Sequence, residues 1–248
     1  MSFFSLEGKT ILVTGASSGI GKQIALSIAE CGGRLIISGR NTKRLQETYL
    51  ALKGTGHIIV TADLAIADDI ELLVQQTGEI NGLVHCAGKT AHMPAHFIKP
   101  KHIADMFKVN FEAPVLLTSR LLGKKKLQKQ SSIVFISSVT TQAPFFGGAL
   151  YVSSKAALEG YSKVLSLEIA PKQMRSNCIS PGFIKTGMIQ QTAETVSQEV
   201  IDKVEKAQML GAGNPQDVAL AVIYFLSDAS RWVTGTNLLL GGPIQAKS

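Results

Sequence analysis

Cysteine is scarce in this chain. There are three in 248 residues, Cys31, Cys86 and Cys178, widely spaced and with no Cys-x-x-Cys pair. An odd, scattered set argues against a disulfide framework and a zinc site, and for a reducing compartment. Charge is also sparse: 17% of residues are charged against 45% hydrophobic, with a mean hydropathy of +0.20. A disordered chain shows the opposite balance. No apolar run approaches the roughly 18 residues needed to cross a bilayer. Residues 1–10 lack the basic start and apolar stretch of a secretory signal. There is no internal repeat, no low-complexity tract and no polar linker. The expectation is a cytoplasmic globular protein of one domain, with no metal and no membrane partner.

The formal net charge is +7, and it is unevenly spread. Residues 99–129 hold eight basic side chains (Lys99, Lys101, Lys108, Arg120, Lys124, Lys125, Lys126, Lys129) and two acids, Asp105 and Glu112. Such a cluster suits an anionic partner: a phosphorylated cofactor, an acidic carrier protein or nucleic acid. It also suits a solvated helix end, where lysine complements the dipole. Residues 123–129 have no interleaved aromatic to stack on bases, so nucleic acid is not expected.

Short apolar runs alternate with helical patterns along the whole chain. Strands are expected at Thr10–Thr14, Arg34–Ser38, His57–Thr61, Gly82–Cys86, Ser132–Ser137, Met174–Ile179 and Asn237–Leu240. They are nearly continuous in apolar residues, as strands buried on both faces must be. Between them, Ile20, Ile24 and Ile28 recur at helical spacing, as do Leu158, Tyr161 and Leu165, and Val218, Val222 and Phe225. This alternation predicts an α/β fold: a single, doubly wound, parallel sheet with helices on both faces, binding its ligand at the carboxyl ends of the strands.

The first strand runs into Thr14-Gly15-Ala16-Ser17-Ser18-Gly19-Ile20-Gly21 and then a helix. Gly15 permits a sharp turn, Gly19 lets backbone approach a pyrophosphate, and Gly21 lets the helix pack close to the sheet. The helix N-terminus offers free N–H groups to phosphates. A cofactor with a free ribose diol is usually held by an acid about twenty residues further on. Here that place holds Gly39 followed by Arg40. An acid would repel a 2′-phosphate, whereas a guanidinium can bind it through two parallel bonds, so NADP(H) is expected ahead of NAD(H). After the third strand, Asp63 and Leu64 stand where a carboxylate can meet an adenine amino group.

Tyr151-Val152-Ser153-Ser154-Lys155 opens a helical pattern, and residues at i and i+4 share a face. A free tyrosine titrates near pH ~10, and a cation beside it lowers that value, making Tyr151 a usable proton donor and acceptor. Ser137-Ser138 closes the fifth strand at the ligand-binding edge, where a hydroxyl can donate to a carbonyl oxygen. Asn110 lies inside a helical pattern, where an amide needs water or backbone to satisfy it.

These residues together resemble the short-chain dehydrogenase/reductase family, in its single-domain branch, and within it the 3-oxoacyl-carrier-protein reductases. The resemblance spans essentially the whole chain. It is carried by Thr14-Gly15-x3-Gly19-x-Gly21, Asp63, Ala87-Gly88, Asn110, Ser138, Tyr151-x3-Lys155, Pro181-Gly182, residues 213–219, Ser227-Asp228 and Thr234-Gly235. It implies a Rossmann-like sheet of seven strands and the interconversion of a carbonyl and an alcohol by hydride transfer. It implies a catalytic set in which Tyr151 passes the proton and Ser138 polarises the carbonyl. Lys155 would bind the nicotinamide ribose and tune Tyr151, and Asn110 would hold a water of the proton relay. The cofactor residues are then Gly15, Ser17, Ser18, Gly19, Ile20, Gly21, Arg40, Asp63, Leu64, Ala87, Gly88, Tyr151, Lys155, Pro181, Gly182, Ile184 and Thr186.

Two departures stand out. The family usually has Asn-Asn-Ala-Gly after the fourth strand, where this chain has His85-Cys86-Ala87-Gly88, which implies altered bracing of that strand. The family often has an acid before the last Gly-Gly, where this chain has Leu240. Residues 187–213, with a helix over 193–207, are expected to form a substrate lid. Phe145, Phe146, Met188 and Met209 are candidate apolar pocket residues, with His92 and Met93 nearby. No charged group waits for a charged substrate, so a neutral carbonyl compound or alcohol is expected, and an acyl group on an acidic carrier protein that docks on Lys129 and its neighbours fits. Sugar, polyol or steroid dehydrogenases are the alternatives within the family. A non-catalytic cofactor-binding regulator is the alternative outside it. By family analogy the chain forms a homotetramer or a homodimer, with Ser153, Ser154, Ala156, Ala157 and Gly160 allowing close helix packing.

Overall fold

The computed structural model describes residues 3–186, 205 and 207–242. Its strands are β1 (Thr10–Thr14), β2 (Arg34–Gly39), β3 (Ile58–Thr61), β4 (Ile80–His85), β5 (Leu127–Ile136), β6 (Arg175–Pro181) and β7 (Asn237–Leu240). They form one seven-stranded sheet in the order β3-β2-β1-β4-β5-β6-β7, and every pairing is parallel. The helices are α1 (Gly19–Glu30), α2 (Thr42–Leu50), α3 (Ala67–Gln76), α4 (Pro100–Phe107), α5 (Ala113–Gly123), α6 (Ala149–Ile169) and α7 (Pro215–Leu226), with a π-helical stretch, Lys108–Glu112, between α4 and α5.

The apolar runs are continuous because successive strand residues serve two cores. Ile11, Val13, Leu35, Ile37, Val134 and Ile136 pack with Ile24, Ile28, Val218, Val222 and Phe225 of α1 and α7. Leu12, Ile36, Leu83, Ile133 and Phe135 pack on the other face with Ile70, Leu73, Leu117, Leu121, Leu158 and Leu165 of α3, α5 and α6. Polar residues inside the strands are buried too and need partners: Ser132 Oγ donates to Phe225 O at 2.7 Å and the Asn177 amide to Val233 O at 3.0 Å. Asn214 caps α7: its side chain accepts from Gln216 N at 2.9 Å, and Asp217 accepts from Asn214 N at 2.7 Å, with Pro215 as the first helical residue. This is a capping box with proline where its missing N–H costs nothing.

The sheet order reverses between β1 and β4. Their carboxyl ends diverge there and open the crevice in which such sheets bind ligands. Only β1 and β7 keep the bounds read from the sequence; β2, β3, β4 and β6 shift by one or two residues at their ends, and β5 ends one residue early, at Ile136. β5 begins at Leu127, five residues early, because Leu127 pairs with Ile80 before the register slips to Gly82–Ser132. Gln130 absorbs the slip with a φ of 66°. The early residues are polar because this end of the sheet is open, where Asn81 donates to Gln128 at 2.6 Å. β4 stops at His85, leaving Cys86 as the first residue of the turn. Of the expected lid, residues 187–204, including Met188, and residue 206 lie outside the described residues. Its flanks are joined: Ile184 bridges Gly213, and Lys185 N donates to Gly213 O at 2.9 Å.

Candidate active site

The turn after β1 builds the floor of a cleft of about 1500 Å³ along the carboxyl ends of the strands. Gly15 has a φ of 70°, and a β-carbon there would stand 2.8 Å from the backbone of Ala87. A β-carbon on Gly21 would run into the carbonyl of Gly15, so only glycine lets α1 seat on the turn. Gly19 differs: a β-carbon would meet nothing closer than Thr186 at 3.7 Å, so its bulk would project into the cleft instead. Ser18, which precedes α1, makes no side-chain cap, which leaves the first-turn N–H groups to a ligand. A cradle of glycine and helix N-terminus fits a dinucleotide pyrophosphate. All the cofactor residues named from the sequence, from Gly15 to Thr186, line this one cleft. At its far end Arg40 is largely exposed and stands 3.7 Å from Asp63. Asp63 Oδ1 accepts from Ala65 N at 3.0 Å, which fixes the carboxylate on the wall.

Ser138, Tyr151 and Lys155 also line the cleft. The Ser138 hydroxyl stands close enough to the Tyr151 phenol to favour its ionised form. Ser138 Oγ accepts from Thr140 Oγ1 at 2.9 Å and from Thr140 N at 3.3 Å. With both lone pairs used, its own proton can only be donated outward. The Lys155 amine lies 5.9 Å from the centre of the Tyr151 ring and donates to Ile136 O at 2.8 Å. Burial pushes its pKa down to about 8. The expected lowering of Tyr151 is not found. Burial pushes the phenol above its usual value, and the Ser138 hydroxyl draws it back only in part. Desolvation of the phenolate outweighs a cation that sits over the ring and spends a donor on a carbonyl.

Asn110 stands behind the cleft wall, not on it. It lies in the π-helical stretch, and its amide accepts from Lys89 N at 2.9 Å and donates to Lys89 O at 2.9 Å and to Ser154 Oγ at 3.0 Å. It therefore pins the chain leaving β4 to α6. Ser154 is fully buried in this contact, so it does not belong to the outward stripe of small residues; Ser153, Ala156 and Gly160 do.

The His85-Cys86 departure keeps its brace by another route. Thr14 Oγ1 donates to Val84 O at 3.3 Å and accepts from Cys86 N and Ala87 N, each at 3.2 Å. Replacing Thr14 with valine leaves those two N–H groups without a partner. The expected cost is about 2 kcal/mol, which a thermal melt would read as a midpoint lowered by about 4–8 °C. His85 itself is buried, stacked on Phe135 at 4.8 Å with 10° between planes. Cys86 is half-buried on the cleft wall, and burial pushes its thiol up to about 12.

Several residues of the site were not singled out from the sequence. Asn41 and Arg44 line the cleft beside Arg40, and Asn41 caps α2 by accepting from Arg44 N at 3.0 Å. The Asn-Thr at the head of a helical pattern was the available signal. Gln208 is buried, lines the cleft and accepts from Phe183 N at 3.1 Å. No local pattern marks it, since its partner lies 25 residues away. His92 packs on Phe145 and Phe146, at 6.1 and 6.3 Å between ring centres, and does not reach the cleft; Phe145 does. Lys124 and Arg120 both pair with Glu71, and Lys124–Lys129 stand where β5 begins. The site is where β5 ends, roughly 30 Å away at ~3.3 Å per strand residue. A carrier docked on Lys129 would not face this cleft.

A family model described as enoyl-(acyl carrier protein) reductase matches residues 15–242. A 3-oxoacyl-[acyl-carrier-protein] reductase, FabG, of Rickettsia prowazekii is 34% identical, covering 96% of this chain and 97% of the relative. The chain belongs to the short-chain dehydrogenase/reductase family. It is an oxidoreductase of a family that uses NAD(P). Another member, dehydrogenase/reductase SDR family member 4 of Sus scrofa, is 30% identical over 96% of this chain and 87% of its own length. Among solved members, a short-chain type dehydrogenase/reductase from Mycobacterium marinum superposes with a TM-score of 0.86 at 26% identity, covering 96% of each chain. A second short-chain dehydrogenase/reductase family protein gives 0.85 at 28% identity, covering 96% of this chain and 98% of its own.

Proposed function

We propose that this short-chain dehydrogenase/reductase interconverts a neutral carbonyl compound and its secondary alcohol, with NADP(H) as cofactor. The observation that carries this reading is the hydroxyl pair of Ser138 and Tyr151 on the wall of a dinucleotide-shaped cleft, with the Lys155 amine over the tyrosine ring. Two hydroxyls converging on one point suit an oxygen that gains charge as the reaction proceeds. When bound, the nicotinamide supplies or accepts the hydride. In the reducing direction Ser138, oriented by Thr140, donates to the carbonyl oxygen, and Tyr151 gives it a proton. Below about pH 8 the Lys155 amine is largely charged and favours phenolate as that proton leaves. Asn110 holds the Lys89 backbone and so the shape of the cleft beside Gly88.

Arg40 supports the choice of NADP(H). It sits at the end of β2 with no acid before it, and Arg44 lines the same corner. Replacing Arg40 with serine is expected to lower kcat/KM for NADPH about 10–100-fold and to leave that for NADH nearly unchanged. A wild-type protein that prefers NADH overturns the cofactor assignment.

An acyl chain on an acidic carrier is the substrate favoured by the named relatives. The basic residues that suit such a partner are Lys99 and Lys101 at the head of α4 and Lys89 and Lys108 on the cleft, not Lys129. We also infer a cytoplasmic homotetramer or homodimer; the exposed Val164 and Leu167, which continue the small-residue stripe of α6, support the assembly. No helix of the described residues is long and apolar enough to cross a membrane. Residues 187–213 are proposed as the lid. The deciding experiment follows NADPH oxidation with a panel: an acetoacetyl thioester, a crotonyl thioester, small ketones, and keto-sugar and steroid ketones. Turnover of the crotonyl thioester alone would replace carbonyl reduction with enoyl reduction.

A further inference from the structure

Glu159 was not picked out by any motif, yet three hydroxyls converge on one of its oxygens. Its Oε1 accepts from Ser137 Oγ at 2.6 Å, from Thr141 Oγ1 at 3.0 Å and from Ser180 Oγ at 3.2 Å. These donors come from three places. Ser137 follows β5 directly and precedes Ser138, Thr141 closes the short turn that Ser138 begins, and Ser180 lies near the end of β6, just before Pro181-Gly182. The one Ser180 proton is shared with Asn237 Oδ1, at 2.8 Å on β7, and the one Thr141 proton with the Ser138 carbonyl, at 3.0 Å. Glu159 stands one turn beyond Lys155 on α6, and Ser137 Oγ lies 3.4 Å from the Lys155 carbonyl as well.

The charge around Lys155 singles out the same residue. Three acidic groups act on its amine: Cys86 from the turn after β4, Cys178 from β6, and Glu159 from its own helix. Burial pushes both thiols up to about 12, so neither carries charge at neutral pH. Tyr151, on the same helix, is a neutral phenol there. Lys163, one turn past Glu159, faces Cys178 as well. Glu159 is thus the one carboxylate among the groups acting on a buried amine whose other fixed contact is the uncharged Ile136 carbonyl.

We propose that Glu159 is a positioning residue for the reaction: its carboxylate sets the place of Ser138 through Ser137 and Thr141 and supplies the counter-charge for Lys155. The inference rests on the carbonyl-reductase reading of this site. A group that only clamped these three segments could be a neutral acceptor, whereas a counter-charge cannot, and that difference is measurable.

The test is a titration of Lys155 in protein labelled with carbon-13 at the lysine ε-carbons, its signal assigned by its loss in Lys155→Met. Glu159→Gln keeps an acceptor oxygen and removes the charge. It is expected to move the Lys155 midpoint down. The alkaline limb of kcat should shift in the same direction, and kcat at pH 7 should fall about tenfold. Ser137→Ala removes the shortest tether and keeps the charge. It is expected to lower kcat several-fold and leave the Lys155 midpoint in place. If Glu159→Gln does not fold, Glu159→Asp replaces it: the charge stays, the tethers lengthen, and kcat falls with the midpoint unmoved. A folded Glu159→Gln whose Lys155 midpoint equals that of the wild type overturns the counter-charge, and a Ser137→Ala or Glu159→Asp with wild-type kcat overturns the positioning. Failure of the reading itself has a different signature: Tyr151→Phe would turn over as fast as wild type while the midpoint still moved in Glu159→Gln.

Discussion

Replacing Tyr151 with phenylalanine is expected to lower kcat about 10³-fold while the protein stays folded and still binds its cofactor. The magnitude is that of a positioned proton donor. The substitution deletes one oxygen and keeps the ring that the Lys155 amine overlies. The hydroxyl's neighbour Ser138 keeps both bonds to Thr140, so the local fold survives. Dinucleotide binding, read by quenching of protein fluorescence or by calorimetry, should stay within a few-fold of wild type, because the glycine turn is untouched. Loss of binding together with rate would mean that the side chain had been structural. Unchanged rate would remove Tyr151 from the chemistry altogether.

Acid is expected to destabilise this chain through the buried ring of His85. Its ring is buried between β4 and β5, with Nε2 at 2.8 Å from Thr118 Oγ1. Nδ1 is buried with no hydrogen-bond partner among the described residues. A proton added there would be a buried charge with nothing to share it, and burial pushes the pKa down to about 3. In the unfolded chain the same group titrates near pH 6.5. Below that pH the unfolded state takes the proton and the folded state refuses it. The stability present above pH 6.5 is therefore lost progressively as pH falls toward 3. The loss is about 2 kcal/mol by pH 5 and about 4 kcal/mol by pH 3, against a typical total of ~5–15 kcal/mol. Denaturant unfolding at pH 7.5 and pH 5 checks it. His85→Asn, which cannot titrate, should lose about 2 kcal/mol less than wild type over that interval. An equal loss in the two proteins would show that the imidazole is not the acid-sensitive group.

Much of this was legible in the order of residues. The seven strands follow from apolar runs that had to feed two cores, and the helices from their three-to-four-residue spacing. The turn from Gly15 to Gly21 was legible because its glycines answer to backbone crowding within a few residues. The pairing of Tyr151 with Lys155 follows from the pitch of one helix. What went astray depended on distance in space. Ser154 looked like part of an outward stripe, but Asn110, 44 residues earlier, turns it inward. Lys129 looked like a dock for a carrier, but a ten-residue strand separates it from the site.

The same division explains the chemistry. Local geometry places a phenol and an amine on one helical face, and no folded context is needed to say so. Whether the phenol is easier or harder to ionise is another matter. That depends on how much water is excluded from it and on which donors remain free, and both are set by β4, β5 and the Thr140 turn closing over α6. Desolvation has no signature in neighbouring letters, because it sums over groups brought together from across the chain. Hence the three hydroxyls on Glu159 and the bare nitrogen of His85 emerged only once the sheet had assembled, while the glycine turn and the two-sided strands were already written in short-range rules.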